Sequence, residues 1–295
     1  MTTVLIEVVN VILPIVLCVS IGYGFAVAGI PFERKFVGSL VANVGFPALI
    51  LSHLSGQHIA FSEFLVLFGA SVLFVALCGV VAFPFLLVLK LPRRAFLAPM
   101  MLNNVGNIGL PVVALAFGDA GLAYALAFLI VVIVGIFTIG LWLPMGNIRF
   151  REILSQPVIY AVPVALFLLA TDTEMPKPIG SAVGILGGLA IPLMLLTLGN
   201  TLATLKVGDI RLGLGLTAFH VVMVAALAFL IAQLFGLTGT ARGTFIVLCM
   251  MPVSIAVYLG VELFDPDDAT AVAGFIMVST LATIVILPLV LAFWV

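Results

Sequence analysis

Long apolar stretches separated by short polar connections make up almost the whole chain. An α-helix needs ~20 residues to cross a hydrocarbon core of ~30 Å. The first stretch follows no basic segment, so we expect a retained span and not a cleaved signal peptide. With this length as a guide, the pattern predicts an all-α polytopic membrane protein with ten transmembrane helices, at residues 4–29, 35–54, 63–89, 94–118, 120–144, 155–171, 178–203, 209–235, 241–263 and 268–294.

A polar, helix-breaking run interrupts the fourth predicted helix near its middle. It consists of Asn103, Asn104, Val105, Gly106, Asn107, Ile108, Gly109, Leu110 and Pro111. Glycine lowers the resistance of a helix to unwinding, and proline removes a backbone donor. Polar groups and irregular backbone at bilayer depth are costly unless they line a cavity or pack inside the protein. We therefore expect this run to be the functional centre.

The ninth predicted helix carries a second interruption at the same depth, at Met251, Pro252, Val253 and Ser254. Two interrupted helices that cross would bring half-helix N-termini together, and their free N–H groups favour anions. Paired interruptions are a sequence pointer to a transporter site. Pro252 alone would equally fit a purely structural kink.

The positions of prolines suggest an internal repeat. Pro14, Pro47, Pro111 and Pro144 match Pro163, Pro192, Pro252 and Pro288 at nearly constant offsets. An odd number of helices in each half forces the halves into opposite orientations, which is an inverted repeat. The sequence thus predicts two five-helix repeats, residues 1–145 and 155–295, joined by a connection at 146–154, with broken helices four and nine crossing.

Composition and charge agree with this class. The chain is 64% hydrophobic and 8% charged, and its mean hydropathy is +1.43. Its net charge of −1 gives no electrostatic argument for binding nucleic acid. Nine basic residues follow odd-numbered predicted helices, against Lys177 and Arg242 on the other side. The positive-inside rule then places both termini outside a cell membrane, and we expect a bacterial inner-membrane protein.

The interrupted segments supply candidate ligands for a small organic anion. The amides of Asn103, Asn104 and Asn107 can donate to carboxylate oxygens, and Ser254 and the backbone after Pro252 can complete the ring. Asn43 and Tyr258 are further candidates, although Asn43 would also fit a structural hydrogen-bonding role. The full predicted substrate site is Asn43, Asn103, Asn104, Gly106, Asn107, Gly109, Pro111, Pro252, Val253, Ser254 and Tyr258.

An enzyme is the weaker alternative, because the histidines and cysteines are scattered over different predicted spans and no HExxH or GxSxG motif occurs. We expect no cofactor and no metal site. A channel could share paired half-helices and stays an alternative. The driving force for transport also stays open. It could be sodium held by amide and carbonyl oxygens, a proton carried by His220, or the membrane potential alone.

The spacing from Asn104 to Gly109 and Pro111 resembles that of the auxin efflux carrier family. Asn107 is similar to the second Asn of its bacterial members, and Pro252 followed by Tyr258 resembles its ninth helix. The short central connection is also similar to that of bacterial members. The resemblance extends over essentially the whole chain.

This resemblance implies a fold shared with bile acid:sodium symporters, in which helices one, two, six and seven form a scaffold and the others a moving core. It implies elevator-type alternating access and homodimers through scaffold helices. It also implies substrates such as malonate, malate or auxin-like acids. A sodium-coupled symporter or an anion channel are the alternatives.

Overall fold

The structure, a computed structural model, describes residues 2–55, 59–146 and 150–294. Part of the predicted connection at 146–154 lies outside these ranges. The described α-helices are α1 (Thr2–Val27), α2 (Arg34–Leu40), α3 (Phe46–Leu54), α4 (Phe61–Val88), α5 (Arg93–Met101), α6 (Leu110–Gly135), α7 (Leu141–Met145), α8 (Phe150–Leu154), α9 (Val158–Ala170), α10 (Lys177–Gly188), α11 (Ala190–Thr204), α12 (Ile210–Leu234), α13 (Gly239–Cys249), α14 (Ala256–Phe264) and α15 (Pro266–Trp294). Three π-helical segments join some of them, at Val41–Gly45, Val105–Gly109 and Ile136–Gly140.

Several of these helices are long and apolar enough to cross a membrane. Within the described ranges there are seven such spans: Val8–Val27, Arg34–Leu54, Phe61–Val88, Val105–Met145, Lys177–Thr204, Ile210–Leu234 and Pro266–Phe293. The shorter apolar helix α9 lies between the fourth and fifth of them. The predicted all-α polytopic class is confirmed, whereas the count of ten helices and the inverted repeat stay predictions.

The helices pack in two groups. In the first group α1 packs against α11, and α3 packs against α9 and α10. In the second group α4 packs against α5, α6 and α12, while α15 packs against α12 and α14 and α13 packs against α6. Fewer contacts join the groups, mainly between α1 and α6 or α15 and between α11 and the π-helical segment 105–109.

Two glycines allow α1 and α11 to approach backbone to backbone. A Cβ atom added to Gly22 would overlap the carbonyl oxygen of Leu196, and one added to Gly199 would overlap that of Val19. Small residues at such contacts are the usual means by which membrane helices gain close packing. This pair of helices therefore forms a tightly fitted part of the first group.

The chain leaves helical conformation at two places that face each other. α5 ends at Met101 and the π-helical segment begins only at Val105, while α13 ends at Cys249 and α14 begins at Ala256. The first break lies at the start of the predicted polar run, and Pro111, at its end, lies in the first turn of α6. Proline is well tolerated there, because its missing N–H would have no helical partner. A further kink occurs inside α6 at Gly118, where φ is +63°.

Candidate substrate site at the paired helix breaks

The two breaks pair with each other as a short antiparallel β-bridge. Asn103 and Val253 are the bridged residues. The N–H of Asn104 donates to the carbonyl of Pro252 at 2.7 Å, and the N–H of Ser254 donates to the carbonyl of Leu102 at 3.0 Å. Residues far apart in sequence are thus held together where helix hydrogen bonds are missing, and buried backbone groups need such partners.

Asn103 fixes the first break to the end of α13. Its Nδ2 donates to the carbonyl of Cys249 at 2.6 Å. The Oδ1 atom of the same amide is buried and has no hydrogen-bond partner in the described part of the chain. The Nδ2 atom of Asn103 therefore has a structural role, whereas its Oδ1 atom is an acceptor without a donor.

Asn104 has the complementary arrangement. Its Oδ1 accepts from the N–H of Asn107 at 3.3 Å, in the manner of a helix N-cap. Its Nδ2 is buried and, among described residues, has no partner. The amide of Asn104 thus has a free donor, whereas that of Asn103 has a free acceptor, and the two side chains are nearly inaccessible, at 2% and 1% exposed respectively.

Asn107 and the two glycines lie in the π-helical segment that follows. The Asn107 side chain is partly exposed. A Cβ atom on Gly106 would lie 3.4 Å from Cζ of Phe46 and 3.8 Å from Sδ of Met194. Phe46 belongs to α3 and Met194 to α11, so the segment lies against the first packing group. A Cβ atom on Gly109 would lie 2.7 Å from Cδ2 of Leu248, so a larger residue there would require the Leu248 side chain of α13 to move.

A side-chain hydroxyl that was not among the predicted site residues binds the backbone of the second break. The N–H of Val253 donates to Oγ of Ser279 on α15 at 3.3 Å, and this hydroxyl donates to the carbonyl of Ile276. Oγ of Ser254 accepts from the N–H of Ala256. Ser279 was visible in the sequence only as one of several hydroxyl residues in an apolar span, without a signal for its partner.

Two of the predicted site residues have hydrogen-bond partners that do not belong to the bridge. Asn43 is exposed, and its Nδ2 donates to the carbonyl and hydroxyl oxygens of Ser39 one turn earlier on the same helix. Tyr258 is buried, and its hydroxyl donates to Oε1 of Glu262. These side chains therefore have partners of their own, which is the structural alternative considered for Asn43.

The chemistry available at the bridge is that of uncharged donors and acceptors. Within the described ranges no group of three or more His, Cys, Asp or Glu side chains could hold a metal ion. The free amide donor of Asn104, which precedes the helical segment beginning at Val105, suits a carboxylate. Pro252, Val253 and Ser254 are all buried together with Asn103 and Asn104, so the bridge is closed off from solvent in this conformation.

A chain of membrane-crossing helices with a polar bridge at two helix breaks has the architecture of a membrane transporter. The model of the membrane transport protein family matches residues 142–291, just over half of the chain. The protein belongs to this family, that of the auxin efflux carriers, and the predicted resemblance is confirmed.

One curated relative extends the similarity over the remaining residues. An uncharacterized transporter of Methanocaldococcus jannaschii is 24% identical over 296 residues, which cover 94% of this chain and 96% of the relative. The family match and this relative both point to a transporter and not to an enzyme.

Proposed function

We propose that this protein is a secondary transporter that moves a small organic anion, a carboxylate or dicarboxylate, across a cell membrane by elevator-type alternating access. The substrate would bind at the bridge between residues 102–104 and 252–254. In this proposal the chain forms ten spans in two inverted repeats, residues 1–145 and 155–295, with both termini outside.

The observation that carries the proposal is the pair of buried polar atoms without partners, Nδ2 of Asn104 and Oδ1 of Asn103. Leaving a buried donor or acceptor unsatisfied costs about 1–3 kcal/mol. Buried polar atoms without a partner also occur at Thr217, His220 and Thr244, but only Asn103 and Asn104 carry them on consecutive residues of a helix break among the described residues. A bound ligand would satisfy them, with its carboxylate accepting from Asn104.

The position of the bridge supports an elevator mechanism. The bridge belongs to the second packing group, through α13 and α15, while Gly106 faces Phe46 and Met194 of the first group. A site at the boundary of two helix groups changes its surroundings when one group moves against the other. Glycine at this boundary leaves a smooth surface for such a movement.

The acceptor atom of Asn103 that has no partner limits the class of substrate that would fit the site. Oδ1 of Asn103 needs a donor, which a plain carboxylate lacks. A hydroxy acid such as malate, a half-protonated dicarboxylate such as malonate, or an auxin-like acid with a ring N–H would each offer both a donor and an acceptor.

A sodium-coupled symporter is the second candidate, and the same atom favours it. Amide and backbone carbonyl oxygens are hard donors that suit small cations, so Oδ1 of Asn103 could face sodium in place of a substrate donor. An anion channel is the third candidate. Counterflow of labelled substrate in proteoliposomes separates a carrier from a channel, because only a carrier exchanges it against a gradient.

The experiment begins with a thermal-shift screen of the purified protein against dicarboxylates, hydroxy acids and indole acids, with and without sodium. A ligand that binds only the native state raises its stability. The best ligand is then used for uptake into proteoliposomes. We expect Asn104→Ala to lower uptake at least about tenfold, since a hydrogen bond to a charged group contributes about 1.5–3 kcal/mol.

The matched control is Asn43→Ala, which removes an amide that is engaged with its own helix. This variant should keep uptake within about twofold of the unmodified protein, because surface changes away from key contacts have small effects. Unchanged uptake by Asn104→Ala, with normal folding, would refute the proposed site. A stabilising ligand found only in the presence of sodium would favour the symporter.

A further inference from the structure

A groove on the outside of the second packing group includes none of the bridge residues in its lining. It has a volume of about 510 Å³ and is lined by Gly79, Val80 and Phe83 of α4, Leu97 and Met101 of α5, and Trp142 of α7, among others. Its walls are open to the surroundings: Val80 is 66% exposed and Trp142 is 44% exposed. All lining residues are apolar, so in a bilayer the groove would contact hydrocarbon.

One end of the groove carries positive charge. The guanidinium carbon of Arg93 lies 5.2 Å from the centre of the Phe83 ring, a cation–π contact. Lys90 and Arg94 flank it in the sequence. Arg93, Leu97 and Met101 follow one another at four-residue steps on α5, so the groove runs about 12 Å along this helix from the charge towards the bridge.

We propose that this groove binds an anionic phospholipid, with an acyl chain between α4, α5 and α7 and the phosphate at Arg93. An arginine above an aromatic ring keeps the in-plane N–H donors that pair with phosphate. The cytoplasmic leaflet, where the charge pattern places this end, is the anionic one.

A second copy of the chain fits this face less well. In a two-fold symmetric dimer the same patch meets itself, so two clusters of Lys90, Arg93 and Arg94 would approach each other. Like charges at an interface are unfavourable. The groove also ends at Met101, next to Leu102 of the bridge, so a bound lipid would contact the helix that leads directly into the proposed site.

Native mass spectrometry of the full-length protein tests this assignment. The protein is mixed with equal amounts of dioleoyl phosphatidylglycerol and dioleoyl phosphatidylcholine, which share their acyl chains and differ in headgroup charge. We expect the phosphatidylglycerol adduct to dominate. Arg93→Gln should lower its apparent affinity about fivefold, the effect of one basic residue near the membrane surface. The control is Arg211→Gln, which changes an exposed arginine at the start of α12 outside the groove. This variant should not lower the affinity for phosphatidylglycerol.

A second pair of variants tests the acyl chain independently of charge. Val80→Trp should fill the groove and lower the retention of both lipids. Val88→Trp, on the same helix and also exposed, at 79%, does not line the groove and should leave retention unchanged. Equal retention of both lipids by the unmodified protein, or an equal loss in Arg93→Gln and Arg211→Gln, would overturn the assignment. Loss of lipid without loss of uptake would leave the proposed transport function intact.

Discussion

At the scale of single residues, neighbouring asparagines in the first break divide two tasks. Asn103 uses its donor to bind the carbonyl of Cys249 and Asn104 uses its acceptor to cap the segment after it. The acceptor Oδ1 of Asn103 and the donor Nδ2 of Asn104 are left without partners. The amide is the side chain that can do this, because it offers donor and acceptor together.

Asn103→Ala should destabilise the protein more than Asn107→Ala does. Removing Asn103 leaves the carbonyl of Cys249 without this partner inside the protein, at a cost of about 1–3 kcal/mol. The Asn107 side chain is partly exposed, and it is the backbone N–H of this residue that donates to the capping side chain of Asn104. The measurement is the midpoint of thermal unfolding of both variants in the same detergent; equal midpoints would contradict a structural role for Asn103.

The sequence predicted an interruption somewhere in the polar run 103–111, because amides, glycines and a proline are concentrated there. In the structure the non-helical residues are 102–104, at the start of this run, and Pro111 lies in the helix that follows. Proline in the first turn of a helix costs little, so it marks where a helix restarts as readily as where one ends. The partners of the break are backbone carbonyls of Cys249, Pro252 and Leu102, and no side-chain pattern encodes those pairings.

At the scale of elements, the π-helical segments are the feature that hydropathy did not predict. Each of the three π-helical segments in the described residues ends in a glycine, namely Gly45, Gly109 or Gly140. A π-turn inserts one residue into a helix, and such insertions occur frequently at functional sites. In a span that is apolar on all faces, one extra residue does not alter the pattern of hydrophobic and polar positions, and the sequence therefore gives no sign of it.

The close contact of α1 with α11 predicts opposite effects for two glycines of one helix. Gly22→Ala would push a methyl group into the backbone of Leu196, and we expect a loss of about 1–3 kcal/mol, the usual cost of overpacking. Gly24→Ala meets nothing within 4 Å and should hold or raise stability, because alanine favours the helix by roughly 0.5–1 kcal/mol. Thermal unfolding in one detergent measures both, and a similar loss in the two variants would argue against the contact.

At the scale of the whole molecule, the distribution of charge sets the expected orientation. Arg34, Lys35, Arg93, Arg94 and Arg211 lie at ends of helices on the side predicted to be cytoplasmic. The sequence predicts this side, because the rule depends on counting basic residues in short loops. It could not give the two packing groups, which depend on glycine contacts between helices far apart in the chain.

Fusions to the C-terminus test the orientation. With both termini outside, alkaline phosphatase fused after the last residue should be active and a fluorescent protein that matures only in the cytoplasm should stay dark. Fusions placed after Lys206 should give the reverse pattern, because this loop is predicted to be cytoplasmic. A fluorescent C-terminal fusion would show that the C-terminus is cytoplasmic, which would contradict the predicted side of every loop.

The bridge also limits how the protein can change shape. Its two backbone hydrogen bonds, from Asn104 to Pro252 and from Ser254 to Leu102, lie between buried residues. Pulling the strands apart would strand four peptide groups in a nonaqueous interior, at several kcal/mol each. In the proposed transport mechanism, residues 102–104 and 252–254 would therefore move as one rigid piece, and neighbouring helices would regulate access to the site without separation of these two segments.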